Sequence, residues 1–249
     1  MRLNDKVAIV TGAASGFGEG IARAFANEGA AVIVADVTDD KGKAVAESLP
    51  KATFVHCDVT RSEDVGAMVE AAEKTFGGLD ILVNNAGITH KRQPMLDVGE
   101  DEFDRIYAVN VKGIYLGAVH GVPALVRRGG GAILNIASTA GVRPRPGLTW
   151  YNGTKGAAIT LTRSMAVELA PEKIRVCAIN PVIGETALLE SFMGAEDTPE
   201  NRASFLAGIP LGRMSKPEDI AKAAVFLCSD EAEFITGSTM SINGGQHMY

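Results

Sequence analysis

Short apolar runs rich in β-branched residues recur along the chain, separated by stretches with helical spacing. They are Val7-Ala8-Ile9-Val10, Ala31-Val32-Ile33-Val34, Thr53-Phe54-Val55, Ile81-Leu82-Val83, Ala132-Ile133-Leu134-Asn135-Ile136 and Arg175-Val176-Cys177-Ala178-Ile179. Each run is continuous rather than alternating. A strand with one wet face alternates, whereas a parallel strand covered by helices on both faces does not. The pattern therefore predicts one α/β domain over residues 1–249, a Rossmann-type doubly wound parallel sheet flanked by helices. A last strand is expected near Met240-Ser241-Ile242, between Thr236-Gly237 and Asn243-Gly244-Gly245. The preceding helix is expected to begin at Ser215-Lys216-Pro217-Glu218, with Ser215 as cap and Glu218 closing a capping box, and to run to about Cys228. Residues 185–210 lack clear strand or core-helix character. Gly, Asp and Pro are scattered there among Leu188, Leu189, Phe192 and Met193, the pattern of a mobile substrate lid.

Composition narrows the picture. With 46% hydrophobic and 22% charged residues the chain is an ordinary globular protein. A net charge of -6 argues against a nucleic-acid partner. Cys57, Cys177 and Cys228 are odd in number, far apart and without a CxxC, so buried thiols are expected rather than disulfides or a metal site. Met1 to Lys6 lead directly into the first strand and leave no room for a signal peptide. No apolar run approaches the roughly 18 residues of a membrane helix. Cytoplasmic residence and a small-molecule substrate, with no membrane partner, are the expectation.

Candidate chemistry begins at Thr11-Gly12-Ala13-Ala14-Ser15-Gly16-Phe17-Gly18, which joins the first strand to the helical pattern Ile21 to Ala26. Glycines at such a turn let a pyrophosphate approach the amides of a helix N-terminus, although the spacing is GxxxGxG rather than GxGxxG. Gly12, Ser15, Gly16, Phe17 and Gly18 are the candidate cradle. About twenty residues on, Asp36 ends the second strand, where a carboxylate can accept from the adenosine ribose and repel a 2'-phosphate. Neither it nor Ser15 could pair with that phosphate, so NAD is favoured over NADP. Asp58, with Val59, could face the adenine or simply begin a turn.

Tyr151-Asn152-Gly153-Thr154-Lys155 opens a long helical pattern, and a spacing of four puts Tyr151 and Lys155 on one face. A phenol titrates near ~10 and is a poor base at neutral pH unless a cation steadies the phenolate. Lowering that pKa by about three units takes roughly 4 kcal/mol, which an ammonium and an oxidised nicotinamide could supply together.

Several motifs taken in order make the chain resemble the short-chain dehydrogenase/reductase family: the Thr11 to Gly18 turn, Asn84-Asn85-Ala86-Gly87, Asn110 in Val109-Asn110-Val111, Ser138, and Tyr151 with Lys155. The resemblance implies that Tyr151 is the general acid/base and that Ser138 holds the substrate oxygen. It implies that Lys155 binds the nicotinamide ribose and lowers the tyrosine pKa, while Asn110 steadies a proton-relay water. Asn84 would be structural and cofactor-contacting together. The family's Pro-Gly after the sixth strand is Pro181-Val182 here, and the implied nicotinamide contacts fall on Gly184 and Thr186. Homodimers or homotetramers built through the long helices around Asn110 and Tyr151 are also implied. A tighter similarity, through Asn180 to Thr186, Phe192-Met193-Gly194, Ile209 to Arg213 and Thr149-Trp150-Tyr151, is to bacterial dehydrogenases of sulfonated aryl aldehydes and alcohols.

Basic residues gather where the family's site opens: His90-Lys91-Arg92, and Arg143 with Arg145. They point to an alcohol or carbonyl substrate bearing an anionic group, or else to a solvated loop or subunit contact. Trp150 and Phe192 could wall a ring or pack in the core. The rival readings are a 3-oxoacyl carrier-protein reductase, with Arg127 and Arg128 meeting an acidic partner, and a catalytically idle nucleotide-binding scaffold.

Overall fold

Strand β1 (Val7–Thr11) explains why the apolar runs do not alternate. All five of its residues are buried, yet successive side chains leave by opposite faces of the pleat. Ala8 and Val10 join one cluster with Ile21, Phe25 and Ile220; Val7 and Ile9 join another with Met68, Leu82 and Leu125. The computed structural model, which describes residues 1–185 and 189–246, repeats this arrangement from strand to strand. Helix α1 (Gly16–Asn27) leads to β2 (Ala31–Asp36), α2 (Asp39–Glu47) to β3 (Ala52–His56), and α3 (Ser62–Phe76) to β4 (Ile81–Asn84). Helices α4 (Glu100–Tyr107) and α5 (Gly113–Arg128), joined by a π-helical turn at Ala108–Lys112, precede β5 (Gly131–Ile136). A short α6 (Thr139–Val142) and the long α7 (Thr149–Leu169) precede β6 (Ile174–Pro181). Helices α8 (Leu189–Met193), α9 (Pro199–Leu206) and α10 (Pro217–Cys228) come before β7 (Thr239–Ile242).

The strands pair in parallel in the order β3-β2-β1-β4-β5-β6-β7. Connections after β1 and β4 lead to opposite halves of the sheet, which opens a crevice at their C-terminal ends, where doubly wound sheets hold ligands. One threonine fixes both lips. Thr11 Oγ1 donates to the Val83 carbonyl (3.2 Å) and accepts from the amides of Asn85 (3.0 Å) and Ala86 (3.1 Å).

Three expectations change. The cap of α10 is Lys216, not Ser215: the Lys216 amide donates to the Asp219 carboxylate at 2.8 Å, because Asp219 is three residues on and Glu218 only two. Ser215 is buried instead, its hydroxyl turned to the carbonyls of Val182 (3.2 Å) and Ile183 (3.3 Å). The 185–210 segment contains α8 and α9, which close a small core of Val182, Ile183, Leu189, Met193, Ile209 and Met214. Thr198 caps α9 by accepting from the Asn201 amide (3.3 Å), with Pro199 in the first turn. Finally, the helical stretch Glu100–Arg128 is long and apolar enough, at a mean hydropathy of 1.2, to meet the length and composition of a membrane span. Its inner face carries buried Ile106, Ile114, Leu116 and Leu125, and Leu116 and Leu125 belong to the core cluster of β1 and α3. Core helices of sheet proteins meet the same test.

Candidate active site

The turn after β1 is shaped by what cannot fit in it. A Cβ on Gly18 would lie 2.1 Å from the Gly12 carbonyl oxygen, so α1 can start this close to the turn only with glycine there. The first helical bond runs from the Glu19 amide to the Ser15 carbonyl (3.2 Å). The amides of Gly16, Phe17 and Gly18 precede it and point out of the helix end, the arrangement that receives a pyrophosphate. Asn85 braces the turn from β4, its amide nitrogen donating to the carbonyls of Thr11 (2.7 Å) and Gly12 (3.1 Å).

A cavity of about 360 Å³ runs from this turn along the strand ends. At one end lie Asp36, Val37, Cys57, Asp58 and Val59. Asp36 accepts from the amides of Ala14 and Thr38, each at 2.9 Å, which holds its carboxylate at the lip of the cavity. Asp58 begins a turn, its carboxylate accepting from the amide (2.9 Å) and hydroxyl (2.8 Å) of Thr60, and it also lines the cavity.

At the other end, Ser138 caps α6, its Oγ accepting from the Ala140 amide (3.1 Å). Tyr151 and Lys155, both only 6% exposed, rise from the first turns of α7. Lys155 Nζ donates to the Ile136 carbonyl (2.8 Å) at the end of β5 and lies 5.8 Å from the centre of the Tyr151 ring. Burial pushes the Tyr151 phenol up to about 12, opposed by a hydrogen bond from Ser138 and the Arg145 charge. Burial likewise brings the Lys155 ammonium down to about 8. Burial thus holds both groups towards neutrality, and positive charge beside the phenol favours the phenolate. Asn110 sits at the π-helical turn, clamped to Ile88: its Oδ1 accepts from the Ile88 amide (2.9 Å) and its Nδ2 donates to the Ile88 carbonyl (2.8 Å) and to Thr154 Oγ1 (3.0 Å). A Cβ on the intervening Gly87 would meet Lys155 Nζ at 3.3 Å and Asn110 Oδ1 at 3.4 Å, so both groups border one small space.

The residues fit a dinucleotide: open helix amides, a carboxylate about twenty residues on, and a lysine with a phenol beyond. A family model described as enoyl-(acyl carrier protein) reductase matches residues 12–247. A 4-formylbenzenesulfonate dehydrogenase of Comamonas testosteroni is 50% identical over 252 residues, covering 100% of both chains. The chain is a short-chain dehydrogenase/reductase. A galactitol 2-dehydrogenase of Agrobacterium fabrum is 40% identical, again over 100% of both chains. The crystal structure of a 3-ketoacyl-(acyl-carrier-protein) reductase from Brucella melitensis, complexed with NADH, is similar with a TM-score of 0.93 and 48% identity, over 98% of this chain and 99% of that one. This short-chain dehydrogenase/reductase is an NAD-dependent oxidoreductase acting on CH–OH donors, moving hydride between NAD and a small alcohol or carbonyl.

The sequence candidates do not all meet in the cavity of this short-chain dehydrogenase/reductase. Gly12, Ser15, Gly16, Phe17, Gly18, Asp36, Asp58, Val59, Ser138, Arg145, Tyr151, Lys155, Gly184 and Phe192 line it. Asn84 does not: it donates to Asn135 Oδ1 (2.8 Å) inside the sheet, and its neighbours Asn85, Ala86 and Gly87 face the cavity. Arg143 is exposed and outside the lining, and His90 is wholly buried with Nδ1 against the Lys91 carbonyl (2.8 Å). The Trp150 indole donates to the Met95 carbonyl (3.0 Å) and stacks edgewise on Phe103, away from the lining. This geometry gives no support to a substrate contact by those three. Thr186 lies outside the described residues. Gly184 shares its space with Phe17, whose Cζ would be 2.4 Å from a Cβ there, so the departure from the family's Pro-Gly is accompanied by a glycine two residues later and a phenylalanine across from it. Val37, Cys57, Leu148, Val182 and Ile183 also line the cavity and carry no sequence signal that marks them.

Proposed function

We propose that Tyr151 exchanges the proton of the reacting alcohol and that Ser138 holds its oxygen, with Lys155 orienting the nicotinamide ribose and Asn110 steadying a relay water. Bound NAD accepts or returns the hydride and, when oxidised, adds positive charge beside the phenol. Tyr151, buried as a phenol, is poised to donate in the reducing direction. In the oxidising direction it must first lose its proton, and Ser138 and Arg145 both favour the phenolate. The observation that carries this reading is the convergence of Ser138, Tyr151 and Lys155 in one cavity with the turn after β1.

The substrate is read as a small ring-bearing alcohol or aldehyde. Leu148, Val182 and Phe192 give the cavity apolar walls, and the Phe192 ring lies 5.1 Å from that of Tyr151 at 66°. The relative that acts on 4-formylbenzenesulfonate supports an aromatic aldehyde; the relative that acts on galactitol shows how far substrates diverge at 40% identity. An initial-rate screen of cyclic and open-chain alcohols with NAD and NADP tests the reading. Turnover of ring-bearing alcohols with NAD, abolished in Tyr151→Phe, is expected; undiminished turnover in that variant overturns it.

A carrier-protein reductase is the second reading, and the NADH-complexed neighbour favours it because it removes NAD use as an objection. Arg127 and Arg128 do not favour it. They are paired with Glu73 (2.7 Å) and Asp80 (3.1 Å) and precede β5, at the N-terminal end of the strands, opposite the cavity. Residues 189–206 are read as a substrate lid. Exposed Tyr115, Val119 and Val126 on α5 and Val167 on α7 support a homo-oligomer formed through those helices. The three unpaired buried cysteines fit a reducing, cytoplasmic setting.

A further inference from the structure

We propose that Arg145, backed by Arg92, is an anion-binding subsite of the substrate cavity, so that the preferred substrate carries a carboxylate or sulfonate. The proposal rests on the reading of Tyr151 and Ser138 as the site of the reacting oxygen, and adds the group that selects the rest of the molecule.

Arg145 is the arginine that lines the cavity, together with Ser138, Leu148, Tyr151 and Phe192. Its backbone is fixed just before α7, where its carbonyl accepts from Asn152 Nδ2 (2.9 Å) and the Leu148 amide (3.3 Å). The guanidinium lies over the Phe205 ring, 5.1 Å from its centre. A cation–π contact uses no N–H donor, which leaves the donors of the guanidinium for a planar oxyanion.

No carboxylate pairs with Arg145 among the described residues, in a chain with 30 acidic and 24 basic residues. Arg2, Arg23, Arg202 and Arg213 each have an acidic partner, and Arg175 is satisfied by the carbonyls of Leu227, Ile235 and Ser229. The permanent charge that acts on Arg145 is instead of the same sign, that of Arg92. Arg92 donates from Nε to the Pro146 carbonyl (3.2 Å), one residue along, and from its amide to the Ser191 carbonyl (3.2 Å) of α8. Burial and then the Arg92 charge lower the Arg145 pKa. A half-buried cation beside another cation is unfavourable in the empty protein, and an anion between them reverses the sign of both contributions. Arg143, two residues earlier, is exposed and outside the lining.

A stacked, unpaired arginine could instead serve only to hold α9 in place, and two matched alcohols separate the alternatives. Initial rates with NAD are compared for 4-(hydroxymethyl)benzoate and 4-methylbenzyl alcohol in the wild type, Arg145→Gln and Arg145→Lys, alongside calorimetric titration of benzoate into NAD-loaded protein. The wild type is expected to favour the carboxylate in kcat/KM by about thirtyfold. Arg145→Gln is expected to cut that ratio at least tenfold, within the usual range for a charge-assisted contact, and Arg145→Lys to cut it less. Equal kcat/KM for the two alcohols in the wild type, or an equal loss on both in Arg145→Gln, overturns the subsite while leaving Tyr151 and Ser138 untouched. Should neither alcohol turn over, the titration decides. Benzoate bound by the wild type and lost in Arg145→Gln, with Arg145→Lys retaining part, supports the subsite, and no binding to the wild type overturns it. Undiminished turnover in Tyr151→Phe counts against the acid–base reading and not against the arginine.

Discussion

The two ends of the cavity are held by different means. Around β1, β2 and the start of α1, position is set by backbone: a helix end, glycines that admit no Cβ, an asparagine bonded to two carbonyls, and a carboxylate tied by two amides. Around α7, α8 and α9, position is set by side chains and short helices: Phe192 against Tyr151, Phe205 under Arg145, and a small apolar core of its own beneath them. A wall made of backbone recognises what every nucleotide shares, whereas a wall made of side chains can be rewritten one residue at a time. One fold can thereby keep its cofactor while its substrates diverge.

That contrast can be broken by mutation. Tyr151→Phe is expected to lower kcat about a thousandfold while NADH affinity, read by its fluorescence, changes less than threefold; an equal loss of affinity would erase the distinction between the two ends. Asp36→Ala should move the NADP-to-NAD ratio of kcat/KM by about a hundredfold, with the alcohol KM nearly constant, in initial rates with each nucleotide. Gly18→Ala forces the Gly12 carbonyl aside and should weaken NADH binding about tenfold, with about 1–3 kcal/mol of stability lost in a denaturant titration.

Lys155 sharpens the contrast because its stability and its function oppose each other. Its folded-state pKa, about 8, lies below the ordinary 10.5, so its burial penalises the charged form. The associated stability is complete above the ordinary value and is lost as pH falls through the folded one, so the penalty is in force at pH 7. Lys155→Met is therefore expected to raise the stability of the cofactor-free protein at pH 7 by about 1–2 kcal/mol, net of the lost bond to the Ile136 carbonyl, in the same titration. Alcohol oxidation should slow at least tenfold in that variant and need higher pH, since the phenolate loses its cation. The smallest effect is expected at the anchor of the third apolar cluster. Arg213→Ala removes the pair with Asp219 (2.5 Å) in the first turn of α10 and should lower kcat/KM about threefold with NADH affinity unaltered.

Much of the site was legible because its chemistry is local. Tyr151 and Lys155 are one helical turn apart, and Gly12 to Gly18 and Asp36 follow directly from strands whose apolar runs mark them. The same locality misled at Ser215, where the residue type of a good cap was present but the acidic side chain three positions on selected Lys216. It failed altogether between neighbours. Asn84 and Asn85 are the same residue at the end of one strand, yet the first turns into the sheet and the second towards the nucleotide end. Arg143 and Arg145 differ only in where the loop after α6 passes, which depends on Arg92 and Gly147 meeting from distant parts of the chain.

By itself, then, the order of apolar runs, glycines and one tyrosine–lysine pair determined the sheet, the cofactor and the class of reaction, because strand burial, helix ends and i,i+4 spacing act over a few residues. Tertiary structure decided which basic residue enters the cavity, which asparagine braces the turn, and which residues of 189–206 form a small core of their own, because those outcomes depend on packing between segments tens of residues apart.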